Sequence, residues 1–182
     1  GYPAYLASRI ASFYERSGKV VNIGKEGRIS TLSVIGAVSP PGGDLSDPVV
    51  QSTLRVTKVF WGLDDALASA RHFPAINWLT SYSLYTVDLD SFYKKNINEE
   101  LPKLREIAME LLEKEAELEE IVRLVGIDAL SPKDRMILEG AKSIREDFLH
   151  QNAYHEIDTY TSLNKQYLML KAIIKFYEEG NK

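Results

Sequence analysis

Apolar residues fall at helical spacing over long stretches of the second half of this chain, and crowd into short runs without that spacing in the first half. Near the start, Leu6, Ile10 and Phe13 predict one short helix, with Pro3 tolerated in its opening turn and Gly18 as a stop. Lys25-Glu-Gly-Arg28 reads as a turn. Ile29 to Val38 is apolar and β-rich enough to predict a buried strand that ends at Pro40-Pro41. Asp47-Pro48 then supplies an N-cap and a proline at the first helical position, Thr57 to Phe60 is strand-like, and Leu63 to Arg71 predicts a short helix. This part is α/β in character and too short to be a complete nucleotide-binding domain.

Beyond Ser81 the composition shifts to Glu, Lys and Leu, and the pattern becomes helical. Leu101, Leu104, Ile107, Ala108, Leu111, Leu118, Ile121, Val122 and Val125 form one stripe, opened by acidic residues near Asn98 and stopped by Gly126. Ser131-Pro132-Lys133-Asp134 places an N-cap, a proline at the first helical position and an acid at the third, ahead of Ile137, Ala141, Ile144 and Phe148. Leu163, Tyr167, Leu170, Ile174 and Tyr177 repeat the helical spacing. The second half is therefore expected to be a small helical bundle.

Composition narrows the function classes. A chain of 182 residues, 45% hydrophobic, can bury a core. The net charge of −4 offers no basic field for nucleic acid or an anionic membrane surface, and no apolar run reaches transmembrane length. With no cysteine, disulfides and thiolate metal sites are excluded. The opening Gly1-Tyr-Pro-Ala-Tyr5 reads as an internal stretch of something longer.

Nothing in the residues alone makes a self-sufficient catalytic set. No Gly-x-x-x-x-Gly-Lys-[Ser/Thr] phosphate loop occurs, and Gly24-Lys25 and Gly42-Gly43 lack the Lys-[Ser/Thr] pair that would open a phosphate-binding helix, so both read as turns. His150 and His155 are five residues apart and would point to different faces of a helix, which argues against a metal site, and His72 is isolated. The acids at Asp64-Asp65 and Glu119-Glu120 are adjacent rather than facing. Phe73, Tyr154 and Tyr160 lie in or beside irregular stretches, where a ring either fills core or meets a ligand, and pattern alone favours core.

Longer strings carry more. Ile35-Gly-Ala-Val-Ser-Pro-Pro-Gly-Gly-Asp44, Val59-Phe-Trp-Gly-Leu-Asp64, Arg71-His-Phe-Pro-Ala-Ile-Asn-Trp78 and Phe148-Leu-His-Gln-Asn-Ala-Tyr154 together resemble the catalytic A subunit of rotary ATP synthases of the archaeal or vacuolar type. So do Gly1 to Leu6 with Phe13-Tyr-Glu-Arg16, Asn77 to Leu84, and Leu124-Val-Gly-Ile-Asp-Ala-Leu130. The resemblance covers essentially the whole chain and corresponds to the C-terminal portion of that subunit. It implies an α/β remnant of a RecA-like nucleotide-binding domain over residues 1–85, followed by an all-α helical-bundle domain over 86–182.

The implied function is the coupling of ATP hydrolysis or synthesis to proton or sodium translocation by the intact subunit, with this portion alone inactive. ATP or ADP with Mg would be bound by the intact subunit and held firmly by nothing here, because the family's phosphate loop and catalytic and Mg-binding acids precede the matched region. What the resemblance leaves on this chain is an adenine pocket at Phe73, Gln151 and Tyr154, with Tyr160 as a further candidate. The family usually has Phe where Tyr154 stands, and the tyrosine keeps a stacking face. A nucleotide between Phe73 and Tyr154 would favour closure and so a lever stroke on the central stalk. Stalk contacts are implied at Asp44, Ser46 and Asp47, and at Asp128, Ser131, Lys133 and Asp134, although Pro132 and Lys133 stand where acids are found in the related F-type β subunit. Implied partners are the B subunit, the central-stalk subunits and further A subunits of a ring, on the cytoplasmic side of a membrane without insertion into it. The alternatives are a non-catalytic interaction module binding a coiled-coil partner and a non-catalytic paralogue.

Overall fold

A computed structural model describes residues 1–24 and 27–182, which cluster into two compact units, Gly1–Phe60 and Trp61–Lys182. Lys25 and Glu26 lie outside the described residues, and with them part of the expected turn and of the Gly24-Lys25 site.

In the first unit, α1 (Leu6–Tyr14) packs against α2 (Pro48–Leu54). Asp47 caps α2 as its sequence position predicts, accepting the Val49 and Val50 N–H groups at 2.8 and 3.4 Å, with Pro48 at the first helical position where a missing N–H costs nothing. Two short antiparallel strands, β1 (Gly18–Val21) and β2 (Ile29–Leu32), pair Gly18 with Leu32 and Val21 with Ile29. The expected buried strand Ile29–Val38 is thus shortened to four residues, and Ile29 and Leu32 are exposed. A two-stranded ribbon has no second layer to cover it, so its apolar side chains remain in solvent. A two-residue strand, β3 (Val59–Phe60), ends the unit.

The second unit opens with α3 (Asp65–Ser69), capped by the Asp64 carboxylate, and a two-residue strand, β4 (Tyr82–Ser83). Then come α4 (Thr86–Asn96), the 25-residue α5 (Leu101–Val125), α6 (Pro132–Ser143), the single turn α7 (Glu156–Thr159) and α8 (Leu163–Gly180). The apolar stripes of α5, α6 and α8 meet in one core of Ala108, Leu111, Leu112, Ala141, Ile144, Leu170 and Ile174, with Trp78 packed against it. The last turns of the α5 stripe depart from expectation, since Ile121 and Val125 are exposed; Leu124 beside them and Ile127 just beyond are exposed as well. Gly126 ends α5 at φ 87°, a left-handed value that a side chain rarely adopts. Ser131 caps α6 by accepting the Asp134 N–H at 3.2 Å, and Ser162 caps α8 in the same way through Lys165.

A π-helical turn, Ile144–Leu149, continues α6. The wider turn shifts the register by one residue and delivers Phe148 to Gln151 toward the string that holds Phe73. Such turns occur frequently at functional sites.

Candidate functional site

The string Arg71–Trp78 is held from both sides within the second unit. Asp64 accepts the Ala66 N–H and the Asn77 amide, each at 2.9 Å, while its own N–H is donated to the Ala75 carbonyl at 3.0 Å. These bonds, the Asn77 amide foremost, pull the Asp64 carboxyl below the usual carboxylate range. Asn77 N–H reaches the Gly62 carbonyl at 2.8 Å, and Leu63 faces Ile76 across an isolated antiparallel bridge. The string therefore has little freedom to slide.

Gln151 and Phe73 come together directly, because the Gln151 N–H is donated to the Phe73 carbonyl at 2.7 Å. The loop that follows is folded on itself. Asn152 N–H is donated to Asp158 Oδ2 at 2.8 Å, Tyr154 N–H to Asn152 Oδ1 at 3.0 Å, and Thr159 Oγ1 to the Ala153 carbonyl at 2.7 Å. On this fixed backbone Tyr154 is 100% exposed and Tyr160 83%, and Phe73 is 50% exposed. The core reading that pattern alone favoured for these three rings is corrected: the bundle is already filled by aliphatic side chains, and the aromatics stand outside it. Tyr154 and Tyr160 are thus exposed rings on a loop fixed by its own hydrogen bonds.

Beside this string lies a cavity of about 300 Å³, lined by Trp78, Phe148, His150, Gln151 and Met169 among others, with His72 in its wall. His72 is 9% exposed. Its Nε2 stands 2.9 Å from the Arg145 carbonyl, which can only accept, so Nε2 carries the proton. Its Nδ1 is buried without a partner among the described residues. The rings of Trp78 and His150 lie 5.6 and 5.1 Å from that of His72. Sequence spacing compared His150 only with His155 and missed its approach to His72, because that contact depends on the π-helical turn. Among the described residues no group of three or more His, Asp or Glu is arranged to hold a metal ion.

Arg145 also carries an ion pair that sequence reasoning missed. Its Nε is 3.0 and 2.9 Å from the two oxygens of Glu115, and an Nη is 2.9 Å from Oε1. Glu115 is 5% exposed on the buried face of α5. Burial pushes its carboxyl above the usual range, against the opposing pull of Arg145. A charged residue interrupts the apolar stripe there because a partner waits on the next helix.

The segments of the implied stalk contacts are ordered by local bonds. The Ser46 side chain and then the Ser46 N–H, donated to Asp44 at 2.8 Å, hold the Asp44 carboxyl low, and Asp47 is the cap of α2. At the turn between α5 and α6 Ser131 Oγ donates to Asp134 Oδ2 at 2.6 Å, and Arg135 lies 3.6 Å from an almost fully exposed Asp128. Lys133 is exposed.

A family profile described as the C-terminal domain of V and A type ATP synthase matches residues 90–182, half of the chain. The chain belongs to this family. A second profile, the nucleotide-binding domain of the ATP synthase alpha/beta family, matches residues 1–83. V-type ATP synthase alpha chains of Acetivibrio thermocellus and Thermoanaerobacter pseudethanolicus are 66% and 64% identical over all 182 residues, and one of Clostridium botulinum is 65% identical over 179. The chain spans 31% of the length of the first two and 30% of the third. A solved structure described as a unique ATP synthase subunit, NeqB, from Nanoarcheaum equitans is 28% identical, with a TM-score of 0.77 over 97% of this chain and 40% of that one. An α/β remnant of a nucleotide-binding domain followed by a helical C-terminal domain is thus the architecture of this chain. No helix among the described residues is long and apolar enough to cross a membrane.

Proposed function

We propose that this chain is the C-terminal portion of the catalytic subunit of a rotary ATPase, and that Phe73, Gln151, Tyr154 and Tyr160 bound the adenine of ATP or ADP. The observation that carries the reading is the hydrogen bond from Gln151 to the Phe73 carbonyl, which joins two distant strings and leaves exposed aromatic rings on both. Adenine offers two flat faces, and stacking on an aromatic side chain contributes roughly 1–3 kcal/mol per base in nucleic-acid systems. Such contacts orient a nucleotide but do not replace phosphate contacts, so the 182 residues alone are expected not to hydrolyse ATP. Mg and the phosphates would be held by other parts of the intact subunit.

In this reading residues 1–85 close the nucleotide-binding domain and 86–182 form the lever. The segments Asp44–Asp47 and Asp128–Asp134 face the central stalk, and the exposed apolar end of α5 supports an interaction surface next to the second of them. The ring would alternate with B subunits on the cytoplasmic side of a membrane and couple ATP turnover to proton or sodium translocation. A nucleotide stacked on both Phe73 and Tyr154 would join these two parts and favour closure of the lever.

The test is Tyr154→Ala in the complete subunit. A ring that is fully exposed among the described residues contributes nothing to the core, so MgADP affinity should fall by roughly tenfold, within the stacking range, at an unchanged melting temperature. Unchanged affinity with a lowered melting temperature would return Tyr154 to a structural role.

A further inference from the structure

The bonds that surround His72 go beyond a ring that fills space. Burying a polar side chain is unfavourable unless its groups are bonded, and most buried polar atoms have a partner. His72 is buried with Nδ1 unpaired among the described residues, so what keeps an imidazole there is what Nε2 does. Nε2 donates to the carbonyl of Arg145, which also accepts the His150 N–H at 3.0 Å and so closes the π-helical turn. One residue further along the same string, the Phe73 carbonyl accepts the Gln151 N–H. The two bonds run side by side in opposite directions, one from the Phe73 string to the turn and one from the turn's exit to the string. The guanidinium of Arg145 is in turn fixed on Glu115 of α5, and the Trp78 and His150 rings flank the imidazole.

We propose that His72 is a positioning residue, whose Nε2 donor clasps the Phe73 string to the π-helical turn and so sets the spacing between Phe73 and the Gln151–Tyr154 loop for the adenine. This rests on the adenine reading given above. The clasp also links that pocket to α5 through a single residue, Arg145, whose carbonyl serves the pocket and whose side chain serves the bundle.

The test compares His72→Leu, which fills the space without a donor, with His72→Gln, whose amide can reach the same carbonyl. Both are made in the complete subunit, with two readouts: hydrogen–deuterium exchange of the peptide covering 148–154, and the affinity for MgADP. Loss of one hydrogen bond predicts exchange and dissociation constant each raised by roughly fivefold in His72→Leu, and both returned to within about twofold of the parent in His72→Gln. Unchanged exchange in His72→Leu would overturn the clasp. Faster exchange with unchanged MgADP affinity would overturn its role in positioning, and equal losses in both variants would show that shape rather than the donor matters. If His72→Leu does not fold, His72→Asn replaces it, since its amide falls one carbon short. Phe73→Ala in the same assay separates the two failures: unchanged affinity there removes the adenine reading, and the exchange arm alone then decides the clasp.

Discussion

Tyr154 and Glu115 mark opposite failures of pattern reading at the scale of single residues. Tyr154 is an aromatic that pattern assigns to core and the fold leaves in solvent; Glu115 is a charge, a residue type that favours solvent, and the fold buries it on the apolar stripe of α5. Spacing puts Glu115 on the stripe, but the outcome at each residue depends on what another element brings: a filled aliphatic core in the first case, the partner Arg145 in the second. The site string was legible as a resemblance, whereas its geometry was not, since the approach of His72 to Arg145 spans 73 positions. Removing the partner of a buried charge is more damaging than removing the pair. Glu115→Ala should therefore cost about 3 kcal/mol of unfolding free energy, measured by urea denaturation, with Glu115→Ala/Arg145→Leu recovering part of the loss. Equal losses in the single and double variants would mean that the ion pair is not the source.

Most helices of the second unit could be read from their sequences, because caps and stripes are local. Ser131-Pro132 opens α6 and Ser162 opens α8 as their chemistry dictates. The departures occur where a partner outside the segment decides the outcome, as in the shortened ribbon strand β2 and the exposed end of α5. The π-helical turn has no sequence signature at all, and Ile144, at its first position and 1% exposed, still satisfies the helical stripe. Ser131→Ala should lower stability by about 1 kcal/mol through loss of the cap, seen as a fall in thermal midpoint. Gly140 lies buried where α6 meets α8, and a Cβ there would stand 3.2 Å from the Tyr177 ring. Gly140→Leu should therefore force the helices apart, costing about 1–3 kcal/mol and lowering the same midpoint, whereas exposed Glu139→Leu should not.

The whole molecule carries carboxylates shifted in both directions, and their balance sets its response to pH. Asp44 and Asp64 are held low by hydrogen bonds, and Glu100 is held low chiefly by Lys171 and then by Tyr167. Each contributes stability that is present above the ordinary carboxylate pKa of about 4 and is lost as pH falls through the depressed value. Glu115 is raised, so its contribution is complete below that range and declines as pH rises through its folded value. The three carboxylates held low predict a loss of stability on acidification from about pH 6 to pH 3, which the raised Glu115 opposes. Urea midpoints across that range should fall, and Glu100→Gln should flatten the slope; a midpoint that rises with acid would show that Glu115 dominates. Phe73 and the Gln151–Tyr160 loop are proposed to form an adenine pocket. Photolabelling the complete subunit with an azidoadenine nucleotide and mapping the adducts tests it most directly. Adducts should fall in the peptides that contain Phe73, Tyr154 or Tyr160, and be lost on competition with MgADP. Competable adducts confined to other peptides would contradict it.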